Sequence, residues 1–221
     1  MESYVPLHNN AYAYLRENIL QGKFQPGKFY SETKLAKEIG LSRTPVRVAL
    51  QQLQREKLIE IIPNKGFSVC KMTVDDIVET YQIRAAIEGY AAAQLARDKS
   101  VRSKGEIKKL ERLYIKQKEQ LRKPFDLAGF TFTDEKFHET LVDYLENTGL
   151  SELFFNQFYK IHVIAVNTFH IPERPRQAIK EHDAIIKAIC SGCSQAAYDA
   201  VLEHLENIEK YMRRLLKEKR L

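Results

Sequence analysis

Between Ser31 and Leu53 apolar residues recur at helical spacing in two short runs parted by a glycine. Leu35, Ala36 and Ile39 make the first stripe. Ser31 precedes it as a cap, and Gly40 ends it, because glycine tolerates the left-handed backbone at a helix C-terminus. Leu41 is an apolar turn residue, and Ser42 is placed to cap the second helix. Pro45 falls in that helix's first turn, where a missing N–H costs nothing, and Val46, Ala49, Leu50 and Leu53 form its buried face. The pattern then changes. Residues 58–62 and 66–70 predict two paired strands, joined by the turn Pro63-Asn64-Lys65-Gly66.

Past Met72 glycine and proline become rare and long amphipathic stretches dominate. Thr73-Val74-Asp75-Asp76 is a capping signature opening a helix to about residue 97, with Ile77, Tyr81, Ile83, Ala86 and Ala91 among its apolar residues. A charged helix follows over 103–122, and Lys123-Pro124 breaks it. Further helices are predicted near 126–146, 149–169, 176–191 and 194–219, with no convincing strand. The expected fold is mainly α: an N-terminal winged helix-turn-helix over residues 1–71, with three helices and a two-stranded β-wing, then an all-α antiparallel bundle over 72–221.

Charge sharpens this division. The formal net charge of the 221 residues is +6, but residues 1–71 hold 11 Lys+Arg against 6 Asp+Glu, a net of +5. Residues 72–221 hold 24 against 23. The positive excess sits on the first domain, where phosphates would need it. No apolar run approaches the roughly 18 residues of a membrane span. Met1-Glu2-Ser3-Tyr4 lacks the basic start and apolar core of a signal peptide, so a cytoplasmic protein with reduced thiols is expected. Cys190 and Cys193 form a lone C-x-x-C, better explained by a turn between helices than by zinc.

Arg43, Thr44 and Arg47 lie opposite the buried stripe, at the N-terminal end of the second helix. Arginine donates two parallel bonds to guanine, threonine reaches a phosphate or a thymine methyl, and the helix N-terminus favours a phosphate. Lys65, at the strand turn, suits a phosphate or a minor groove. The run from Leu35 through Gly40-Leu41-Ser42-Arg43-Thr44-Pro45-Val46-Arg47 to Leu53 resembles the winged helix-turn-helix of the GntR transcriptional regulators, over about residues 10–71. The resemblance implies DNA contacts at Arg43, Thr44, Arg47 and Gly66. It departs at Thr33, where many relatives carry arginine, and at Val48, where many carry glutamate; both bear on which operator is read.

In the second domain Asp134, His138, His182 and His204 stand out. Asp134 and His138 are four apart and share one helix face. Three imidazoles and a carboxylate suit a divalent transition metal with one or two open positions. Spacing alone does not bring separate helices together, and interfacial histidines are the ordinary alternative. The segments Asp134-Glu135-Lys136-Phe137-His138, Glu181-His182-Asp183-Ala184-Ile185-Ile186 and Glu203-His204-Leu205 resemble the metal-site motifs of the FCD domain, the effector domain of the FadR subfamily of GntR regulators. Ile83-Arg84-Ala85-Ala86-Ile87-Glu88 resembles its first-helix signature, and Asn147-Thr148-Gly149-Leu150 its central turn.

The resemblance implies a homodimer on a palindromic double-stranded DNA operator. It also implies zinc, nickel or manganese at the four ligands, and a small carboxylate metabolite that reaches the metal and relieves repression. Arg84 is a candidate for a further carboxylate contact; the competing reading is a structural ion pair with Glu88, four residues on. Tyr81, Asn167 and His162 are candidates for lining the effector chamber. Alternatives are a purely structural metal, a direct metal sensor and, remotely, a metal-dependent hydrolase. Against the last, H-E-x-x-H, G-x-S-x-G and a P-loop are absent from the sequence, so the chain is expected not to be an enzyme.

Overall fold

The computed structural model describes residues 7–122 and 124–218, which fall into two compact units, residues 1–72 and 73–221. The first unit contains α1 (Leu7–Leu20), α2 (Glu32–Glu38), α3 (Arg43–Arg55), β1 (Ile59–Ile62) and β2 (Gly66–Val69). Ser31 caps α2 by accepting from Lys34 N–H at 3.4 Å. Gly40 takes φ +68°, which lets Leu41 N–H reach back to the Ala36 carbonyl at 2.9 Å and close the helix. Ser42 stands at the N-cap of α3, but its side chain makes no capping bond, contrary to expectation. Val46, Ala49, Leu50 and Leu53 are fully buried on α3, which packs on α1 and α2, whose Ala11, Leu15 and Leu35 are also buried.

The strands pair antiparallel from Ile59↔Val69 to Ile62↔Gly66. An unforeseen bridge, Tyr30↔Phe67, adds a third backbone segment beside β2, and Phe24, Tyr30 and Phe67 pack there as an aromatic trio. Gly66 has φ +99°, and a Cβ there would stand 2.1 Å from the Tyr30 carbonyl oxygen. Only glycine fits.

The second unit is helical throughout its described residues: α4 (Val74–Arg97), α5 (Val101–Gln120), α6 (Leu127–Asp143), α7 (Thr148–Asn156), α8 (Phe158–Phe169), α9 (Arg174–Ser191) and α10 (Ser194–Lys217). The expected helix over 149–169 is two helices, broken at Gln157, which ends α7 and begins α8 with φ −90° and ψ −3°. No glycine or proline marks this break. It lets Phe154 and Ile161 both pack on Ile87 and Val142. Helix α9 starts earlier than expected because Pro175 is accommodated in its first turn. Lys123, part of the predicted break, and residue 219, the predicted last helical residue, lie outside the described residues, as do Met1-Glu2-Ser3-Tyr4. The main core joins Ala91, Leu95, Leu110, Phe137, Leu141, Ile185, Ile189, Val201 and Leu205, contributed by α4, α5, α6, α9 and α10.

Thr73 and Asp76 form a complete capping box on α4: the Thr73 hydroxyl accepts from Asp76 N–H, and the Asp76 carboxylate accepts from Thr73 N–H at 2.9 Å. Lys160 on α8 adds an ion pair at 2.7 Å. Partial burial alone would raise the Asp76 pKa, but Lys160 and Thr73 hold it below the ordinary carboxylate value. A lowered folded-state pKa means stability that is present above the unfolded pKa and lost as pH falls through the folded one. Asp76→Asn should therefore cost about 1 kcal/mol at neutral pH. In urea melts that gap from the wild type should close as the pH drops below the normal carboxylate range.

Candidate metal and DNA-binding sites

Four helices deliver ionisable side chains to one buried point. Asp134 and His138 come from α6, His182 from α9, His204 from α10, and Arg84 and Glu88 from α4. His138, His182 and His204 are all essentially unexposed, and each offers one ring nitrogen within 4.8 Å of the others. His138 Nε2 and His204 Nε2 face each other at 3.2 Å. Asp134 Oδ1 lies 3.6 Å from His182 Nε2, and its Oδ2 lies 3.9 Å from His138 Nε2.

The outer nitrogens are all engaged. His138 Nδ1 donates to Glu88 Oε2 at 2.6 Å, His204 Nδ1 to Glu181 Oε2 at 2.7 Å, and His182 Nδ1 to Gln117 Oε1 at 2.8 Å. Gln117 is orientated by its other end, which donates to Asp134 Oδ1 at 3.4 Å. Both carboxylates are ionised acceptors. Burial would raise Glu88, but the Arg84 and His138 charges bring it down to about 2. Burial would also raise Glu181, but His204 and Arg174 hold it at about 2. His138 and His204 therefore each turn Nδ1 to an ionised carboxylate and Nε2 inward, toward Asp134 and His182. The stacked ring of Phe137, 4.1 Å from that of His182, fixes the third imidazole.

Neutrality favours the same outcome. Burial lowers His182 well below the usual imidazole value, and His204 and His138 push it further. Burial takes His204 down to about 4 despite Glu181. Burial raises Asp134, with His138 and Arg84 opposing.

These residues fit a divalent transition ion. His182 Nε2 is buried without a hydrogen-bond partner, and His138 Nε2 and His204 Nε2, 3.2 Å apart, are placed to share a proton or a cation. That spacing is within reach of two nitrogen ligands of one ion with metal–nitrogen bonds of about 2.0–2.1 Å.

The expected effector contacts fare unevenly. Arg84 is buried and bidentate on Glu88, with Nε to Oε1 at 2.5 Å and Nη2 to Oε2 at 3.4 Å. The structural ion pair foreseen as the competing reading is therefore present. Tyr81 and Arg84 line a cavity with Ile77, Thr80, Ile164, Leu205, Ile208 and Glu209, of only ≈ 10 Å³. Asn167 spends its amide on the Val163 carbonyl of its own helix, and His162 pairs with Glu135 at 2.7 Å. Neither residue is among those lining that cavity.

In the first unit, Arg43 and Thr44 are exposed at the start of α3, and Arg47 follows one turn later, 54% exposed and 3.5 Å from Glu32. With Ser42 making no capping bond, the first N–H groups of α3 keep their capacity for an outside acceptor. Lys65 is exposed at the wing tip, 5.5 Å from the Phe29 ring.

The family model for bacterial regulatory proteins of the gntR family matches residues 7–69, and that for the FCD domain matches residues 79–207. The chain is a GntR-family transcriptional regulator with an FCD domain. It is 28% identical over 213 residues to the uncharacterized HTH-type transcriptional regulator YdhC of Bacillus subtilis, covering 96% of this chain and 94% of that one. It is 25% identical to the HTH-type transcriptional repressor RspR of Escherichia coli, covering 96% and 92%. Its fold matches the solved structure of E. coli McbR/YncC with a TM-score of 0.75 at 19% identity, covering 95% of this chain and 99% of that one. These families and relatives are DNA-binding regulators, not enzymes. Among the described residues of this GntR regulator no helix is long and apolar enough to cross a membrane.

In this regulator Glu88, Gln117 and Glu181 orient the imidazoles, and sequence reasoning did not assign them that task. Their histidine partners lie 50, 65 and 23 residues away, so the sequence carries no local signal for these pairings. Cys190 and Cys193 are exposed free thiols at the α9–α10 junction.

Proposed function

We propose that this GntR regulator is a cytoplasmic repressor that binds a palindromic operator as a homodimer, and that a small organic acid relieves the repression. Residues 1–71 read DNA through Arg43, Thr44, Arg47 and Lys65, with Gly66 shaping the wing. Residues 72–221 hold the ion and the effector and carry the dimer surface. Asp134, His138, His182 and His204 are the ligands of one zinc, nickel or manganese ion. When bound, that ion supplies a Lewis-acidic position for an oxygen of the effector. The observation that carries the reading is the meeting of three buried imidazoles, each offering one ring nitrogen within 4.8 Å of the others, whose Nδ1 atoms are bonded to Glu88, Gln117 and Glu181.

An effector shifts DNA affinity only if it prefers one conformation over another. The cavity beside Tyr81 and Arg84 holds about one water, which supports reading this arrangement as a closed form. A ligand must part the helices to enter, and that opening supplies the differential binding a switch requires. The same small volume favours a second reading, in which the ion is purely structural. The two separate in one titration. The zinc-loaded protein is bound to an operator selected from random duplexes and challenged with acetate, succinate, malate, citrate and gluconate. A loss of operator affinity of about fivefold or more with one of them supports the switch. No change with any of them leaves the structural ion.

A further inference from the structure

Two arginines are buried beside the histidine cluster, and they are used in opposite ways. Each pairs with a glutamate that in turn holds a histidine: Arg84–Glu88–His138 and Arg174–Glu181–His204. Arg84 presents its Nε/Nη2 edge to Glu88, so its bidentate fork is filled. Arg174 gives Glu181 only Nη1, at 2.8 Å. Its Nε and Nη2 are buried without any hydrogen-bond partner, although the side chain is 0% exposed. Those two atoms form the side-on edge of the guanidinium, the edge that matches a carboxylate with two parallel bonds.

Glu181 has nothing left to offer that edge. Its Oε2 accepts from Arg174 and His204, and its Oε1 from Gln177 at 3.2 Å and Asn207 at 2.8 Å. The Tyr211 ring lies 5.4 Å from the guanidinium carbon and offers only its face. Leaving charged donors buried and unpaired is costly, so an open fork calls for a guest. Other unsatisfied polar atoms lie on the helices that carry the cluster. Thr80 Oγ1 is one turn before Arg84, Thr131 Oγ1 is three residues before Asp134, and His182 Nε2 is in the cluster itself.

We infer that Arg174, rather than Arg84, is the anchor for the effector's carboxylate, through its unpartnered Nε/Nη2 edge. The ligand class is an organic acid with a second oxygen function, a hydroxyl or another carboxylate, directed toward the histidine cluster. This rests on the effector reading proposed above and names the residue and the chemistry that reading left open. Arg174 lies just before the helix expected from residue 176, and no local motif marks it.

The test uses zinc-loaded full-length protein, with binding of acetate, succinate, malate, citrate and gluconate measured by calorimetry. At least one two-function acid should bind about tenfold tighter than acetate. Arg174→Lys keeps the positive charge but has no fork; it should lose that margin while retaining zinc by native mass spectrometry. If the margin survives in Arg174→Lys, the anchor is elsewhere and the effector reading stands without it. If no acid binds the wild type, the effector reading fails and takes this inference with it. Wild-type protein labelled at arginine nitrogen gives a measurement free of any folding defect in the variant. The buried Arg174 Nε–H resonance should move on addition of the tightest acid. An unmoved resonance under saturating acid overturns the assignment.

Discussion

A His182→Ala protein should lose about 100-fold or more in zinc affinity while binding operator DNA with unchanged affinity in the absence of effector, because a ligand is removed outright and even the groups behind ligands are worth about 10–100-fold. His182 is the informative position. Its Nε2 has no other partner, its ring is clamped by Phe137, and its Nδ1 is held by a neutral amide rather than a carboxylate. Gln117→Leu should give a graded version, with about 10–100-fold weaker zinc binding. It frees His182 to change tautomer and removes the amide that orients Asp134. Competition titrations against a chelator of known affinity read both effects. A His182→Ala protein that keeps full zinc occupancy would show that the ligand set is wrong. A Gln117→Leu protein indistinguishable from wild type would show that the amide is only packing.

Arg43→Ala and Arg47→Ala should each cost about 1–3 kcal/mol of operator binding, or about 5- to 150-fold, if each pairs with a base edge. Both residues are solvent-exposed at the N-terminal end of α3, and the fully buried Val46, Ala49, Leu50 and Leu53 fix the helix behind them. Truncation should therefore leave the fold of the first unit intact. Arg47, 54% exposed, must also leave Glu32, which stands 3.5 Å away and is 16% exposed. Lys65→Ala, at the wing tip, should weaken all duplexes alike and reduce the salt slope by about one. Anisotropy titrations with operator and scrambled duplexes at several salt concentrations separate these effects. Full operator affinity in both arginine variants would remove α3 from the groove.

The sequence was most readable where one short segment carries its own signals. Ser31, Gly40 and the Thr73–Asp76 box announce helix ends within four residues of themselves, and the wing follows from two apolar strands around an Asn-Lys-Gly turn. Features that depend on distant partners stayed hidden. Gln117 meets His182 65 residues away, and Glu88 meets His138 50 residues away, so neither pairing leaves a local trace. The α7–α8 break at Gln157 carries no glycine, proline or side-chain cap, because tertiary packing of Phe154 and Ile161 imposes it. Gly66 was read as a DNA contact through resemblance; its φ and the nearby Tyr30 carbonyl give it a structural reason to be glycine. Arg84 and Arg174 show both limits together. The helical spacing of Arg84 and Glu88 exposed their pairing, whereas the unpaired edge of Arg174 exists only in three dimensions.

The most direct measurement is native mass spectrometry of the untagged full-length protein, as purified and after addition of zinc, nickel or manganese. The account predicts a dimer carrying one transition ion per protomer, with the ion lost in His182→Ala. A protein that arrives metal-free and refuses all three ions would contradict it, and would leave the converging histidines as packing around a DNA-binding regulator.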